Sequence, residues 1–234
     1  MCGRFTITRR DGNSLAAELG VASDSFVDYR PRYNVAPTQM HYIVRIKFEN
    51  REVLPARWGL VNTWAKDGAM ASKNINARAE TVEKRRGFRE AFMKRRCVVP
   101  ADGFFEWTGP KTARQPTWFH REDSQLILFA GLYERWQPSP QQWETTFTIL
   151  TTDANSLTSQ YHDRMPVILA DRDADDWMDP RAPDPLALKK MLVPAPADLL
   201  IATPVSPEVN NVDNDSADLL KTQGQMSLTL RGPE

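Results

Sequence analysis

The chain has 234 residues, of which 41% are hydrophobic and 26% are charged, and its formal net charge is zero. This composition suits one globular domain with a sizeable core and excludes an intrinsically disordered chain. No apolar run approaches the ~20 residues that a membrane-spanning helix needs, and the N-terminus lacks the apolar stretch of a signal peptide. We therefore expect a soluble cytoplasmic protein that does not contact a membrane.

The charges are unevenly distributed along the chain. Residues 1–117 contain 21 basic and 12 acidic side chains, whereas residues 118–234 contain 9 basic and 18 acidic ones. A basic half favours binding to a polyanion such as a nucleic acid. The alternative is that the basic half forms salt bridges with the acidic half and has no ligand of its own.

Cysteine and histidine are too few and too scattered for a metal site. The two cysteines, Cys2 and Cys97, are far apart, and the three histidines are not at ligand spacing. Two cysteines also do not make a disulfide framework. We expect neither a metal nor another cofactor, and Cys97, beside two valines, is expected to be a buried core thiol.

The elements are predicted in chain order from periodicity and from turn residues. A helix over residues 13–20, with Asn13 as its N-cap, is followed by a hairpin over residues 42–58 and a loop that carries Trp64. Residues 74–78 are predicted to be extended, and residues 80–96 to be helical with a break at Gly87. Two strands over residues 97–107 are joined by a tight turn at Asp102-Gly103. Further strands are predicted over residues 117–120, 126–134, 146–151 and 167–169, with helices over residues 154–159, 171–179 and 185–191 and a last core segment over residues 204–212.

These elements define the fold class. Strands dominate the middle of the chain and helices flank them, which predicts an α+β fold. The sequence shows neither an internal repeat nor a glycine-rich nucleotide-binding loop. A doubly wound α/β fold is therefore not expected.

The second residue offers unusual chemistry. Cys2 follows Met1 and precedes Gly3, and a methionine aminopeptidase removes Met1 when the second side chain is small. Cys2 would then carry a thiol and an α-amine on adjacent carbons, and the amine's usual pKa of ~7.7–8 leaves free base at neutral pH. The alternative is that a cysteine stands near the start by chance.

Several further positions are candidates for chemistry or binding. Glu106 lies among large aromatic residues, where burial would raise its pKa and make it a general acid; the alternative is an edge residue that faces water. His162 is either a general base or an ordinary surface histidine. Trp64 is either a lid over the core or a platform for a ligand. In an extended segment, Asn74, Asn76 and Arg78 would share one polar face.

Seven short motifs occur in order along the chain. They are Met1-Cys2-Gly3-Arg4-Phe5, Tyr33-Asn34-Val35-Ala36-Pro37-Thr38, Trp58-Gly59-Leu60, Asn76-Ala77-Arg78-Ala79-Glu80-Thr81, Pro100-Ala101-Asp102-Gly103-Phe104-Phe105-Glu106-Trp107, His162-Asp163-Arg164-Met165-Pro166 and the segment 204–215. As a set, they resemble the SOS-response-associated peptidase (SRAP) family. The resemblance implies one domain over residues 2–220, with a curved, barrel-like mixed sheet flanked by helices, and a flexible tail over residues 221–234.

The resemblance also implies a function. Members of the family shield abasic sites in single-stranded DNA by becoming covalently attached to them, and they were first named as peptidases. We therefore expect a monomer with an abasic-site crosslinking or lyase-type activity, and with a thiol-dependent peptidase activity that acts on the residue before Cys2. The implied catalytic residues are Cys2, Asn76, Glu106 and His162. The implied DNA-binding residues are Arg4, Asn34, Trp64, Arg78 and Arg164. The three arginines would contact backbone phosphates, Asn34 would line the same groove, and Trp64 would stack on a base.

The implied chemistry uses both groups of Cys2. An open abasic site is an aldehyde, and the α-amine of Cys2 would form an imine with it before the thiol closes a thiazolidine ring. Glu106 would protonate the sugar oxygen and the leaving hydroxyl, His162 would handle a proton next to the aldehyde, and Asn76 would orient the amine.

Two other classes of function remain open. An N-terminal-nucleophile amidohydrolase, such as a glutaminase, also begins Met-Cys-Gly, but Arg4-Phe5 follows here and no other glutaminase pattern is found. A noncatalytic module that binds single-stranded DNA would use the basic half of the chain and Trp64, and it would not need Cys2.

Overall fold

The structure is a computed structural model that describes residues 2–181 and 184–222. The described strands are β1 (Phe5–Ile7), β2 (Arg32–Val35), β3 (Met40–Lys47), β4 (Asn50–Trp58), β5 (Asn76–Arg78), β6 (Arg96–Ala101), β7 (Gly103–Thr108), β8 (Gln115–His120), β9 (Ile127–Ser139), β10 (Gln142–Asp153), β11 (Arg164–Pro166), β12 (Ile168–Leu169) and β13 (Ile201–Pro204). The α-helices are α1 (Gly12–Leu19), α2 (Arg89–Lys94), α3 (Ala174–Met178) and α4 (Pro185–Lys190). Short 3₁₀ helices are described at Ser23–Ser25, Ala71–Lys73, Thr158–Gln160, Asp171–Asp173, Ala197–Leu199, Pro207–Asn210 and Ala217–Leu220.

Five strands close into a barrel. Their order is β10-β4-β3-β6-β9, and β9 pairs again with β10 to complete the ring. The β10–β4 pairing is parallel and the other four are antiparallel, so the sheet is mixed. Strands β5 and β11 add to β10, and β12 adds to β9. The predicted α+β class and the curved, barrel-like mixed sheet are confirmed.

Strand β6 shows how the sequence specifies two cores. All six of its residues are buried, and successive side chains of a strand point to opposite faces. Cys97 and Val99 therefore join one cluster, together with Phe129 and Phe147 from the barrel. Val98 points the other way and joins the cluster that packs under the helices. A fully apolar run is the pattern expected of a strand that is covered on both faces.

A second sheet supports the N-terminus. Its order is β13-β8-β7-β1-β2, and β1 pairs with β7 so that Phe5 lies opposite Phe104. The strands approach closely at Gly103, where a Cβ atom would lie 2.1 Å from Nε1 of Trp118. Only glycine fits there. Phe5 then packs on Trp58, with ring centroids 5.0 Å apart, and this contact fixes β1 against the barrel cluster.

The predicted hairpin and the first helix are found with shifted ends. The turn of the hairpin lies at Phe48 and Glu49, which both have positive φ (48° and 70°), as the turns favoured in two-residue hairpins require. Helix α1 is capped by the carboxylate of Asp11, which accepts the backbone N–H of Ser14, and it ends at left-handed Gly20. Asn13, the predicted cap, lies inside the helix.

The helical stretch predicted over residues 80–96, with a break at Gly87, is helical only after that break. Turns occupy the first part of this stretch, α2 covers only Arg89–Lys94, and Arg96 already begins β6. Gly87 and the three consecutive cations before it disfavour a continuous helix, because like charges repel and glycine costs ~1 kcal/mol in a helix. The predicted helix over residues 154–159 is only a 3₁₀ turn at Thr158–Gln160, whereas the helices after Asp171 and Pro185 are confirmed.

The predicted turn at Asp102-Gly103 joins two different sheets. Strand β6 belongs to the barrel and β7 to the second sheet, so this turn does not make a hairpin. The Asp102 carboxylate holds the corner, because it accepts hydrogen bonds from the hydroxyl of Thr6 (2.5 Å) and from the hydroxyl of Thr8 (2.7 Å). The corner thereby fixes β1 next to the start of β7.

The predicted tail over residues 221–234 lies almost wholly outside the described residues, and a single domain over residues 2–220 remains a prediction. Within residues 2–181 and 184–222, no helix is long and apolar enough to span a membrane.

Candidate functional site

Cys2 lies just before β1 and is fully buried. Its thiol points to the carbonyl of Arg4, with Sγ 3.8 Å from the oxygen. Burial raises the pKa of the thiol well above its ordinary value, and the nearby Glu106 carboxylate raises it further. The side chain is therefore a protonated thiol at neutral pH.

Asn76, on β5, contacts the backbone of Cys2. Its Nδ2 donates to the carbonyl oxygen of Cys2 at 2.8 Å, and its Oδ1 is buried without a hydrogen-bond partner among the described residues. Strand β5 is held parallel to β10, with Asn76 opposite Ile149. The other amide of the predicted polar face is placed elsewhere, because Asn74 precedes β5 and donates to the carbonyl of Leu60.

Glu106 is placed beside Cys2 by the pairing of β1 with β7. Phe5 lies opposite Phe104, and the two antiparallel segments continue side by side toward Cys2 and Glu106. The Glu106 side chain is only 3% exposed. Burial raises its pKa to about 7, to which the charge of Asp163 contributes, whereas the charge of Arg114 lowers the pKa. Glu106 therefore exchanges a proton near neutral pH, as a general acid or base must.

His162 lies in the loop before β11 and is one-third exposed. Its Nδ1 is 2.7 Å from an Asp163 carboxylate oxygen and 3.0 Å from the backbone N of Arg164. The backbone N–H of Arg164 donates to Nδ1, so in the neutral ring Nδ1 is the acceptor and the proton is on Nε2. Burial lowers the pKa of His162, so the ring is neutral at pH 7.

Arg4 and Asn34 form one unit. Nη1 of Arg4 donates to Oδ1 of Asn34 at 2.7 Å and to the carbonyl of Val209 at 3.0 Å. Asn34 is fully buried, and its Nδ2 faces the carbonyls of Val209 and Asn211. Asn34 thus orients Arg4 and does not itself line a surface, which differs from its expected place in a groove.

The two other predicted phosphate contacts differ from each other. Arg78, on β5, is exposed. Arg164 is 7% exposed and donates to the carboxylates of Glu80 (2.6 Å) and Asp153 (2.7 Å). A direct contact of Arg164 with phosphate would have to replace these ion pairs, and its predicted role stays a prediction.

Trp64 lies on an exposed loop, and 59% of its surface is accessible. The guanidinium carbon of Arg86 lies 5.0 Å from the centre of its ring, within the range of a cation–π contact. The loop is anchored to the barrel, because Nε1 of Trp136 donates to the carbonyl of Ala65 at 2.9 Å. The loop that carries the exposed Trp64 ring is therefore held in place.

An open groove of about 630 Å³ runs past Arg4. Trp107, Lys111 and Arg114 also line it, and the guanidinium of Arg4 lies 5.7 Å from the centre of the Trp107 ring. Sequence reasoning did not select these three residues. Trp107 directly follows Glu106 in β7. Because successive side chains of a strand point to opposite faces, the sequence could have placed Trp107 on the face opposite Glu106.

Among residues 2–181 and 184–222, no group of three or more His, Cys, Asp or Glu side chains is placed to hold an ion. The site lies on a closed barrel. It combines a buried cysteine close to the N-terminus with a carboxyl group that titrates near neutrality.

Comparison with known proteins identifies the family. The sequence profile of the SOS response associated peptidase (SRAP) family matches residues 1–212. The chain belongs to the SRAP family.

Relatives of known name and structure agree with this assignment. Abasic site processing protein YoqW of Bacillus subtilis is 39% identical, over 95% of this chain and all of the relative. Abasic site processing protein HMCES of Gallus gallus is 32% identical, over 82% of this chain and 66% of the relative. The crystal structure of a protein from Bacteroides thetaiotaomicron superposes with a TM-score of 0.83 at 26% identity, over 94% of this chain and 99% of that protein.

Proposed function

We propose that this protein captures abasic sites in single-stranded DNA through a covalent bond to Cys2, once Met1 has been removed. The observation that carries the proposal is the placement of the Cys2 thiol beside Glu106, whose pKa is about 7. The names of the relatives support the substrate, since YoqW and HMCES are both abasic site processing proteins.

The proposed reaction needs the α-amine and the thiol of the same residue. The amine adds to the aldehyde carbon of the open sugar, and loss of the new hydroxyl as water gives an imine. Sγ then bonds to the imine carbon, the thiol proton is released, and the imine nitrogen gains a proton. The product is a five-membered thiazolidine, and the reaction releases one water.

Glu106 serves both halves of this sequence. Its protonated form donates to the hydroxyl that leaves as water, and the resulting carboxylate accepts the proton that leaves Sγ. The Cys2 thiol, whose pKa is raised by burial, needs such an acceptor because it does not ionise alone at neutral pH. Asn76 would position the residue through the Cys2 carbonyl. His162, which is neutral at pH 7, would take a proton from the sugar.

The strand would lie in the groove beside Arg4. Arg4, Lys111 and Arg114 offer positive charge to the phosphates, and Trp107 and Trp64 offer rings on which bases stack at ~1–3 kcal/mol each. Neither the phosphate contacts nor the stacking contacts distinguish one base from another. Binding is therefore expected to tolerate any sequence and to weaken with added salt.

The family's name raises a peptidase activity as well, in which the Cys2 thiol would remove the residue before it. The printed names of the relatives refer to abasic sites and not to peptide bonds. We therefore propose covalent capture as the principal activity. A Cys2→Ser variant that still loses Met1 in a host with its own aminopeptidase would show that the thiol is not required for this removal.

A Cys2→Ala variant tests the proposal. Wild-type protein and variant are incubated with an oligonucleotide that carries one abasic site, and products are separated under denaturing conditions. The variant is expected to bind the strand and to form no covalent product. A covalent product from the variant at the wild-type yield would contradict the proposal. Release of ammonia from glutamine by the wild-type protein would favour the amidohydrolase instead.

A further inference from the structure

The turn before α2 carries three consecutive cations, Lys84, Arg85 and Arg86, and all three side chains are exposed. We refer to residues 84–86 as the cationic turn. The neighbouring acids do not neutralise it, because Glu83 pairs with Lys189 at 2.9 Å and Glu90 pairs with Arg95. Within the described part of the chain, no ion pair involves a residue of the cationic turn.

The cationic turn is held in place from both sides. Val82 before it and Phe88 after it are buried in the core cluster under the helices. Backbone N–H groups of Lys84 and Arg85 both donate to the carbonyl of Thr81 at 3.0 Å. The three cations therefore lie on a structured turn. Less conformational entropy is lost when such a turn binds a ligand.

The cationic turn is joined directly to the loop of Trp64. Nδ2 of Asn62, which is 9% exposed, donates to the carbonyl of Gly87 at 2.7 Å. On the surface, the guanidinium of Arg86 lies over the Trp64 ring. An exposed aromatic ring next to unpaired cations is the combination that binds single-stranded nucleic acid, since the ring stacks on a base while the cations neutralise phosphates.

We propose that the cationic turn binds the phosphodiester backbone of the same DNA strand, next to the base that stacks on Trp64. The inference rests on the proposed function, because it assumes that single-stranded DNA is the partner. It adds a second contact region to the groove at Arg4, and it accounts for part of the positive charge in the first half of the chain. The contact is independent of base sequence.

The test compares two variants that each replace three exposed cations. The first is Lys84→Gln/Arg85→Gln/Arg86→Gln, and the control is Arg10→Gln/Arg30→Gln/Arg172→Gln, which leaves the cationic turn intact. Binding to a fluorescent oligothymidylate without an abasic site is measured at several salt concentrations. The slope of log K against log salt should become shallower by ~0.7 for every phosphate that the protein no longer neutralises.

We expect the slope of the first variant to become shallower by the amount that corresponds to between one and three phosphates. The control should keep the wild-type slope. Thermal unfolding of both variants checks that the fold is retained, and Arg86→Lys, which keeps the charge, should bind as the wild type does. Equal slopes in the two variants would overturn the proposal, whether both slopes fall or neither does. If the wild-type protein itself neither binds nor crosslinks single-stranded DNA, the proposed function has failed instead.

Discussion

At the scale of single residues, the central feature is the transfer of protons that Cys2 and Glu106 make possible. Burial raises the pKa of both groups, so each holds its proton more tightly than it would in water. A reaction that must first donate a proton to a leaving hydroxyl and later remove one from a thiol can use a single carboxyl group for both steps. A pKa of about 7 suits that exchange.

Replacing this carboxyl group should change the pH dependence of crosslinking. Glu106 is protonated below its pKa of about 7, whereas the α-amine of Cys2 gains its free base as pH rises toward ~8. The wild-type rate should therefore pass through a maximum near neutral pH. Glu106→Gln should be slower by ~100-fold, the lower range for loss of a general acid, and should lose the falling limb.

The measurement is the single-turnover crosslinking rate as a function of pH. Glu208→Gln, at an exposed position, is the control and should follow the wild-type profile. A Glu106→Gln rate equal to that of the wild type at all pH values would remove Glu106 from the mechanism.

Asp163 should act on the reaction through its charge. Its carboxylate contacts Nδ1 of His162 at 2.7 Å, and its charge raises the pKa of both His162 and Glu106. Asp163→Asn should therefore lower both pKa values and move the falling limb of the rate profile to lower pH. The profile is compared with that of Asp213→Asn, an exposed control. An unshifted profile would show that Asp163 has no such influence.

The sequence indicated which residue types react but not how they contact each other. Glu106 among aromatic residues was expected to be buried with a raised pKa, and burial raises its pKa to about 7. Asn34 was expected to line the groove, yet it is buried behind Arg4. Its partners, the carbonyls of Val209 and Asn211, are about 175 positions away in sequence, and no local pattern reveals such a contact.

At the scale of elements, Arg96 joins two helices to the barrel. It begins β6, is 2% exposed, and donates to the carbonyls of Phe92 and Met93 at the end of α2, each at 2.7 Å. It also donates to the carbonyls of Trp177 and Asp179 at the end of α3. A cation at the negative ends of two helix dipoles replaces the acidic partner that a buried charge usually needs.

Arg96→Met should therefore destabilise the fold. The change leaves several buried carbonyl groups without donors, at ~1–3 kcal/mol each, so the free energy of unfolding should fall by at least ~3 kcal/mol. Urea unfolding followed by circular dichroism measures this loss. Arg172→Met, at a highly exposed position, should change stability by less than ~0.5 kcal/mol. A similar small change for Arg96→Met would show that these contacts contribute little.

The first part of the helical stretch predicted over residues 80–96 forms turns instead, and this difference has a physical cause. The spacing of Val82, Phe88 and Phe92 suits a helix, and all three are buried. The backbone nevertheless turns between Val82 and Phe88, where Asn62 contacts Gly87. A tertiary contact from a loop some 25 residues earlier decides the conformation, and periodicity does not contain that information.

At the scale of the whole molecule, closure of the barrel creates the site. The strands were predicted individually, but their order follows from long-range pairings such as that of β4 with β10, which is parallel and joins residues almost 90 positions apart. The same closure lets β10 hold β5 with Asn76, while the second sheet brings Cys2 to Glu106. The sequence pattern therefore predicted the α+β class but not which residues lie together at the site.

The most direct test of the central claim is the intact mass of the protein before and after incubation with an oligonucleotide that carries one abasic site. We predict a protein without Met1 that gains the mass of the oligonucleotide less one water. The adduct should not gain hydrogen on treatment with borohydride, because a thiazolidine, unlike an imine, is not reduced. A protein without Met1 that gains no mass would contradict covalent capture by Cys2.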